Sequence, residues 1–173
     1  ARSDALTAAG LSDEAERLSR LVGNILDMTR LESGIQLRRD LYPVEEIAGA
    51  ALQRLEPQLA GREIITSLPE DLPLISVDDV LIGQVLTNLI ENAVKYTPAG
   101  SPIEISARNR REGIELEVAD RGPGFTEGEE VRVFEKFYRG ASVAANGTGG
   151  QPQATPRIIR GAGLGLPICK AIV

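Results

Sequence analysis

The sequence predicts an α+β fold: a two-layer sandwich of one mostly antiparallel sheet with helices on one face, preceded by an amphipathic helix. Three observations predict it. Residues 12–32 carry apolar side chains at helical spacing, and two further helical patterns between residues 43 and 96 are interspersed with short strand patterns. Pro102–Arg110 and Gly113–Ala119 are joined by a tight Arg111-Glu112 turn, as in an antiparallel hairpin. The 173 residues give room for one compact domain and a short appended element.

In the first helix Leu18, Leu21, Ile25 and Met28 recur at spacings of three, four and three, and Val22 and Leu26 widen the stripe. Ser12 is its expected N-cap, Glu14 and Glu16 suit the positive end of the dipole, and Ser33-Gly34 stops it. The stripe suits packing on the helix's own domain and equally a bundle seam that takes a partner helix. Ile35–Leu41 alternates like a short strand. Pro43, Glu45 and Glu46 open a helix to Leu59, and a strand is expected at Glu63–Leu68. Pro69 and Pro73 punctuate a loop before Leu74–Ser76; Asp78 then caps a long helix to Tyr96, stopped by Pro98 and Gly100. After the hairpin, regularity fades. Residues 140–160 are rich in Gly, Ala, Thr and Pro without periodicity, the composition of a lid or a disordered loop. A last helix begins near Leu164, with Pro167 tolerable in its first turn.

Composition excludes several functions. The formal net charge of −6 argues against coating nucleic acid, where a basic patch must offset phosphate. No run of 18 or more apolar residues crosses a bilayer and no signal-peptide pattern opens the chain, so a soluble chain is expected. The single cysteine, Cys169, allows no intramolecular disulfide, fits a reducing compartment and is expected as a small buried residue of the last helix. There is no histidine, which removes the usual zinc and haem sites, Ser/His/Asp and Cys/His catalysis, and any phospho-acceptor histidine.

Three segments can carry chemistry. On the helix Asp78–Tyr96, residues Asn88, Asn92, Lys95 and Tyr96 share one stripe, apart from the apolar face of Val85, Leu86, Leu89, Ile90 and Ala93. An Asn amide oxygen is a hard ligand suited to Mg²⁺, which leans on substrate phosphates and water, and a lysine one turn on adds positive charge. Each of these residues alone also reads as an ordinary solvated polar face. Asp120-Arg121-Gly122-Pro123-Gly124 follows a strand and reads as a turn, or as a site where Asp120 accepts a hydrogen bond from an exocyclic amine such as adenine N6. Gly161-Ala-Gly163-Leu-Gly165-Leu opens the last helix and offers backbone amides to an anion. It is not a dinucleotide fingerprint, because Leu166 stands where the third glycine belongs, and no Walker P-loop occurs in the chain.

Taken in order, N-L-I-E-N-A-V-K-Y-T-P, D-R-G-P-G, F-E-K-F-Y-R and G-A-G-L-G-L resemble the N, G1, F and G2 boxes of histidine kinases of the GHKL superfamily. The segment L-S-R-L-V-G-N-I-L-D-M-T-R-L-E-S-G resembles the second dimerisation helix that precedes such domains. With R-L-E-P-Q-L-A-G-R and P-V-E-E-I, the chain looks closest to the potassium-responsive, KdpD-type sensor kinases. The resemblance implies a Bergerat-type ATP-binding sandwich. It divides the chain into a partial dimerisation segment, residues 1–34, and a catalytic domain, residues 35–173, with a lid over residues 121–163.

The resemblance also implies roles. Asn92 would be the main Mg²⁺ ligand with Asn88 assisting, Lys95 would meet the phosphates, and Tyr96 would lie beside the nucleotide. Asp120 would recognise adenine, with Gly122 and Gly124 shaping that wall. Gly161, Gly163, Leu164 and Gly165 would hinge the lid and offer amides to the triphosphate. Phe134 and Phe137 would anchor the lid base or serve as ordinary core aromatics. ATP and Mg²⁺ are thus the implied cofactors. The implied partners are a histidine-bearing dimerisation domain and a response regulator, with no nucleic acid, and a membrane only through the parent protein. The location implied is the cytoplasmic portion of a membrane-anchored sensor.

In hydrolytic relatives a Glu stands four residues before the metal Asn; here that position is Asn88, and Glu91 points about 100° away from Asn92 on the helix. Phosphoryl transfer is therefore expected over hydrolysis, by positioning and charge neutralisation. A nucleotide-gated interaction switch without transfer and a hydrolytic ATPase stay open as alternatives. Since the acceptor histidine and the first dimerisation helix are missing, the chain is expected to be a fragment, the alternative being a kinase that lost its acceptor. Residues 140–160 look long for a lid; their Arg157 and Arg160 suit phosphate or belong to a tolerated insertion.

Overall fold

A computed structural model describes residues 22–23, 37–138 and 163–173. The chain divides into two compact units, residues 1–35 and 36–173. In the first, residues 22 and 23 are helical. The rest of the helix expected over 12–32 lies outside the described residues, as do the first residues of the Ile35–Leu41 segment, the 140–160 segment with Arg157 and Arg160, and Gly161.

The second unit contains β1 (Asp40–Tyr42), α1 (Val44–Leu59), β2 (Ile64–Ser67), β3 (Ile75–Val77), α2 (Asp79–Tyr96), β4 (Ile103–Arg110), β5 (Gly113–Ala119), α3 (Glu129–Arg132) and α4 (Gly165–Ile172). Helix α1 starts after Pro43, whose φ of −71° is preset for the entry and whose missing N–H costs nothing there. Asp78 caps α2: its Oδ1 accepts from the Leu81 amide at 3.3 Å, and its Oδ2 accepts from the Arg38 amide at 3.1 Å. Helix α1 buries Val44, Ile47, Ala48, Ala51, Leu55 and Leu59, one face at helical spacing. Helix α2 buries Val85, Leu86, Ile90 and Ala93, and strand β4 sends Ile103, Ile105 and Ala107 to the same core at alternate positions. Leu86, Ile90 and Ile103 have no exposed surface. Each such side chain contributes about 1.5–3 kcal/mol relative to exposure.

The opposite face of the hairpin is polar. There Arg108 pairs with Glu117 at 3.1 Å, Arg110 with Glu115 at 2.9 Å, and Arg121 with Glu104. Helices therefore cover one face of a sheet, as expected for the α+β sandwich. The strands differ from expectation in their pairing. They form two ladders, an antiparallel β1–β3 pair and a sheet ordered β2-β4-β5, in which β2 and β4 run parallel. A parallel pair requires a long crossover, here the segment containing β3 and α2, and no local sequence signal announces one. The strand expected over Ile35–Leu41 is limited among described residues to Asp40–Tyr42, because only these face β3 partners.

The C-terminal end of α2 is closed without a glycine. Thr97 turns extended, with φ −111° and ψ 154°, and Pro98 has no N–H to return to the helix. Instead Arg62, just after α1, donates from Nη2 to the carbonyls of Val94 (3.1 Å) and Thr97 (3.4 Å). Its Nη1 donates to Thr97 Oγ1 at 2.6 Å and to the Ser101 carbonyl at 3.0 Å. The Thr97 hydroxyl in turn donates to the Ala93 carbonyl.

Candidate functional site

Asn88, Asn92, Lys95 and Tyr96 follow one edge of α2 for about 12 Å at the helical rise of ~1.5 Å per residue. Asn88 is only 6% exposed. Its Oδ1 accepts from Gln84 Nε2 and its Nδ2 donates to the Gly165 carbonyl, both at 3.4 Å. Asn92 is half-buried, and its amide has no hydrogen-bond partner among the described residues. Lys95 Nζ lies 4.6 Å from the centroid of the Tyr96 ring, which is itself exposed. The edge thus offers an uncommitted amide, an ammonium and an aromatic face. Among the described residues no group of three or more Asp, Glu, Cys or His side chains could hold a metal. Asn88 and Asn92 can offer amide oxygens to a hard cation that draws its other ligands from phosphate and water.

The glycine motifs meet this edge at its two ends. Asp120 follows β5 and is exposed; its Oδ1 accepts from the Gly122 amide at 2.7 Å, closing a short turn. A Cβ on Gly122 would fall 2.8 Å from Asp120 Oδ1, 3.2 Å from the Tyr96 carbonyl oxygen and 3.5 Å from Thr97 Cγ2. The turn therefore sits directly on the end of α2, and glycine permits that approach. Gly124 has φ 70° and continues the turn in the left-handed region. At the other end a Cβ on Gly165, the first residue of α4, would meet the Asn88 side chain at 3.7 Å. Leu164, preceding it, is buried and fixes the start of the helix.

Gly163 joins this start to the Phe134–Tyr138 segment. The Phe137 amide donates to the Gly163 carbonyl at 2.9 Å, and a Cβ on Gly163 would lie 2.7 Å from the Tyr138 carbonyl oxygen. Phe137 has φ 65° and Gly163 φ 68°. A non-glycine residue in that region stores strain of about 1–3 kcal/mol. Phe134 and Phe137 are 38% and 66% exposed, so neither is a core aromatic. Two residues that the sequence motifs did not single out organise the neighbourhood. Glu129, 6% exposed, accepts from the Thr126 amide at 3.0 Å and from the Tyr138 hydroxyl at 3.3 Å. Burial raises the Tyr138 phenol, and the Glu129 charge adds to the effect. Arg62 is the second, holding the end of α2 from 32 to 39 residues away in sequence. No local pattern signals a pairing at that distance.

Cys169 is buried on α4, with Sγ 3.7 Å from the Val85 carbonyl, as the packing reading expects. Burial pushes its thiol up to about 11, against a smaller opposing effect of Asn88. An open apolar depression lined by Leu52, Gln53, Glu56, Leu59, Ala60 and Ile64 lies on the α1–β2 side and includes none of the motif residues.

A helix edge of amides and a lysine, flanked by an Asp-Gly turn and a glycine-opened helix, corresponds to a known family. The profile described as histidine kinase-, DNA gyrase B- and HSP90-like ATPase matches residues 77–173, from the end of β3 through α4. The chain belongs to this family and is an ATP-binding catalytic domain of the sensor histidine kinase kind. It is 46% identical over 156 residues to the sensor protein KdpD of Escherichia coli strain K12, covering 90% of this chain and 16% of that protein. The sensor protein KdpD of Clostridium acetobutylicum is 35% identical, over 95% of this chain and 17% of the relative. The chain thus spans about one sixth of these relatives. Among solved structures, full-length ShkA in complex with AMPPNP superposes with a TM-score of 0.75 at 27% identity, over 95% of this chain and 32% of ShkA. The histidine kinase AdeS of Acinetobacter baumannii gives 0.71 at 25% identity, over 95% of this chain and 70% of that one.

Proposed function

We propose that this chain binds Mg·ATP along the α2 edge and transfers the γ-phosphoryl group to a histidine on a companion dimerisation domain, for relay to a response regulator. The observation that carries the reading is the placement of Asn88, Asn92, Lys95 and Tyr96 between the Gly122 turn and the Gly165 helix start. The structure of the similar protein ShkA in complex with AMPPNP supports nucleotide binding by a chain of this fold. Asp120 accepts the adenine amine, the close approach of Gly122 and Gly124 forms the wall beside the ring, and Tyr96 flanks the nucleotide. Lys95 meets the phosphates. Backbone amides of Gly163–Gly165 face the same charge at the start of α4, and the role proposed for Gly161 lies outside the described residues. Asn92 and Asn88 hold Mg²⁺, which when bound neutralises charge on the triphosphate.

Asn88 also bears on the reaction type. At the position where a hydrolytic enzyme needs a carboxylate base, this chain has an amide already engaged with Gln84 and Gly165. An amide does not accept the proton of an attacking water at neutral pH, so transfer to an external nucleophile is favoured over hydrolysis. In this reading residues 1–34 belong to the dimerisation helices, and residues 35–173 are the catalytic domain with the 121–163 lid. The module lies on the cytoplasmic side of a membrane-anchored sensor. Among the described residues no helix is long and apolar enough to cross a membrane.

The test supplies a separate histidine-bearing dimerisation domain with ATP and Mg²⁺ and follows acid-labile phosphate on the histidine. Transfer that is lost in Asn92→Ala supports the proposal. Asn92→Ala is expected to weaken Mg²⁺-dependent ATP binding by about tenfold or more while keeping the folded circular dichroism spectrum. An unchanged ATP affinity by calorimetry would refute the role of Asn92. ATP binding without transfer would instead favour the interaction switch.

A further inference from the structure

We propose that Arg62 is a positioning residue of the nucleotide pocket, acting through the C-terminal end of α2; this rests on the nucleotide reading above. A helix leaves its last carbonyls without intrahelical donors, and a glycine in the left-handed region commonly closes them. Here Thr97 is extended and Pro98 has no N–H, so the carbonyls need a donor from elsewhere. Arg62 supplies it. One guanidinium reaches Val94 O, Thr97 O, Thr97 Oγ1 and Ser101 O, at 2.6–3.4 Å. Among the described residues it makes no ion pair, so its planar fork is committed to this helix end.

The pocket wall rests on the atoms that this fork holds. Gly122 approaches the Tyr96 carbonyl and the Thr97 methyl so closely that a Cβ would lie 3.2 and 3.5 Å away. Gly122 in turn holds Asp120 through a 2.7 Å hydrogen bond. A displacement of residues 96–97 therefore moves the adenine-recognising carboxylate relative to Asn92 and Lys95 on the preceding turn. Arg62 sets that spacing without touching Asp120, Asn92 or Lys95. Among the described residues the C-terminal end of α2 connects the arginine to the Gly122 turn.

The full chain, labelled with ¹⁵N, tests this with three variants. Arg62→Gln keeps a polar side chain but loses the fork and the charge. It is expected to weaken ATP binding roughly tenfold by calorimetry and to lower the preference for ATP over GTP. The Gly122 amide resonance should move, while those of Ile105 and Ala107 further along β4 stay in place. Arg62→Lys should recover part of the affinity, since an ammonium can reach one or two of the four acceptors. Ile47→Val provides a core control that lowers thermal stability remote from the pocket. Unchanged ATP affinity and an unmoved Gly122 amide in Arg62→Gln would overturn the proposal. So would an equal loss of affinity in Ile47→Val at matched thermal stability. If Arg62→Gln does not fold, Arg62→Lys decides by the same two readouts. Failure of the unmutated chain to bind ATP would sink the nucleotide reading, and the Gly122 amide, read without nucleotide, would still report whether Arg62 holds the wall.

Discussion

At Gly122 a single hydrogen decides whether a carboxylate can stand where it does. The backbone there is not in the left-handed region, so alanine is conformationally allowed, yet its Cβ would press on Asp120 Oδ1 at 2.8 Å. Gly122→Ala is therefore expected to leave the fold intact and to push the Asp120 side chain aside. ATP affinity should drop about tenfold, with GTP affected less, as calorimetry on both nucleotides would show. Gly163 differs, because φ 68° and a 2.7 Å approach to the Tyr138 carbonyl oppose any side chain together. Cys169 gives a prediction in pH. Its thiol, ordinarily near 9.0, is raised to about 11 in the folded chain. A raised folded value means that this group's contribution to stability is fully present below about pH 9 and is lost as pH rises towards 11. Native protein at pH 8 should accordingly resist a thiol-specific disulfide reagent and react after denaturation. Rapid reaction of the folded chain would show that the thiol is accessible.

The helices α1 and α2 and the β4–β5 hairpin were legible from sequence because their signals are local. Asp78, Pro43 and the apolar spacing lie within a few residues of the elements that they define, and the hairpin turn separates its strands by two residues. The parallel β2–β4 pairing was not legible, since Ile64 and Ile103 meet only after the intervening crossover has folded. The same limit hid the Arg62 clamp and the Phe137–Gly163 bond. The motif residues themselves were readable, while the contacts that orient them were not. Element-level energetics follow from the same geometry. Asp78 caps α2 and also takes the Arg38 amide, so Asp78→Ala should cost about 1 kcal/mol or somewhat more in denaturant unfolding. Asp78→Asn should recover most of it, because asparagine also caps. The exposed Arg110–Glu115 pair works differently. Its hydrogen bond lowers the Glu115 carboxyl, so the small contribution is present above the ordinary carboxylate range and is lost as pH falls through the lowered value. Added salt should weaken it.

Across the whole molecule, the core of Ile47, Leu55, Leu86, Ile90, Ile103 and Ile105 belongs entirely to the unit of residues 36–173, while the site residues occupy the edge of α2 and the loops beside it. If the proposed site holds, stability and binding belong to different faces of one helix, and a ligand on the edge should stabilise the fold by mass action without repacking the core. At ATP concentrations a hundredfold above Kd, with Mg²⁺ present, the gain should be about 2.7 kcal/mol. For a chain of this size that corresponds to a rise in Tm of roughly 5–10 °C. Chelating Mg²⁺ should remove most of the rise if amide oxygens and phosphates share the cation. Asn92→Ala should remove it too, with the Tm of the ligand-free protein little changed, because the Asn92 side chain makes no hydrogen bond among the described residues. A thermal melt that responds to ATP equally with and without Mg²⁺ would separate nucleotide binding from the α2 amides, and would require the triphosphate to be held by Lys95 and the backbone amides at Gly163–Gly165 alone.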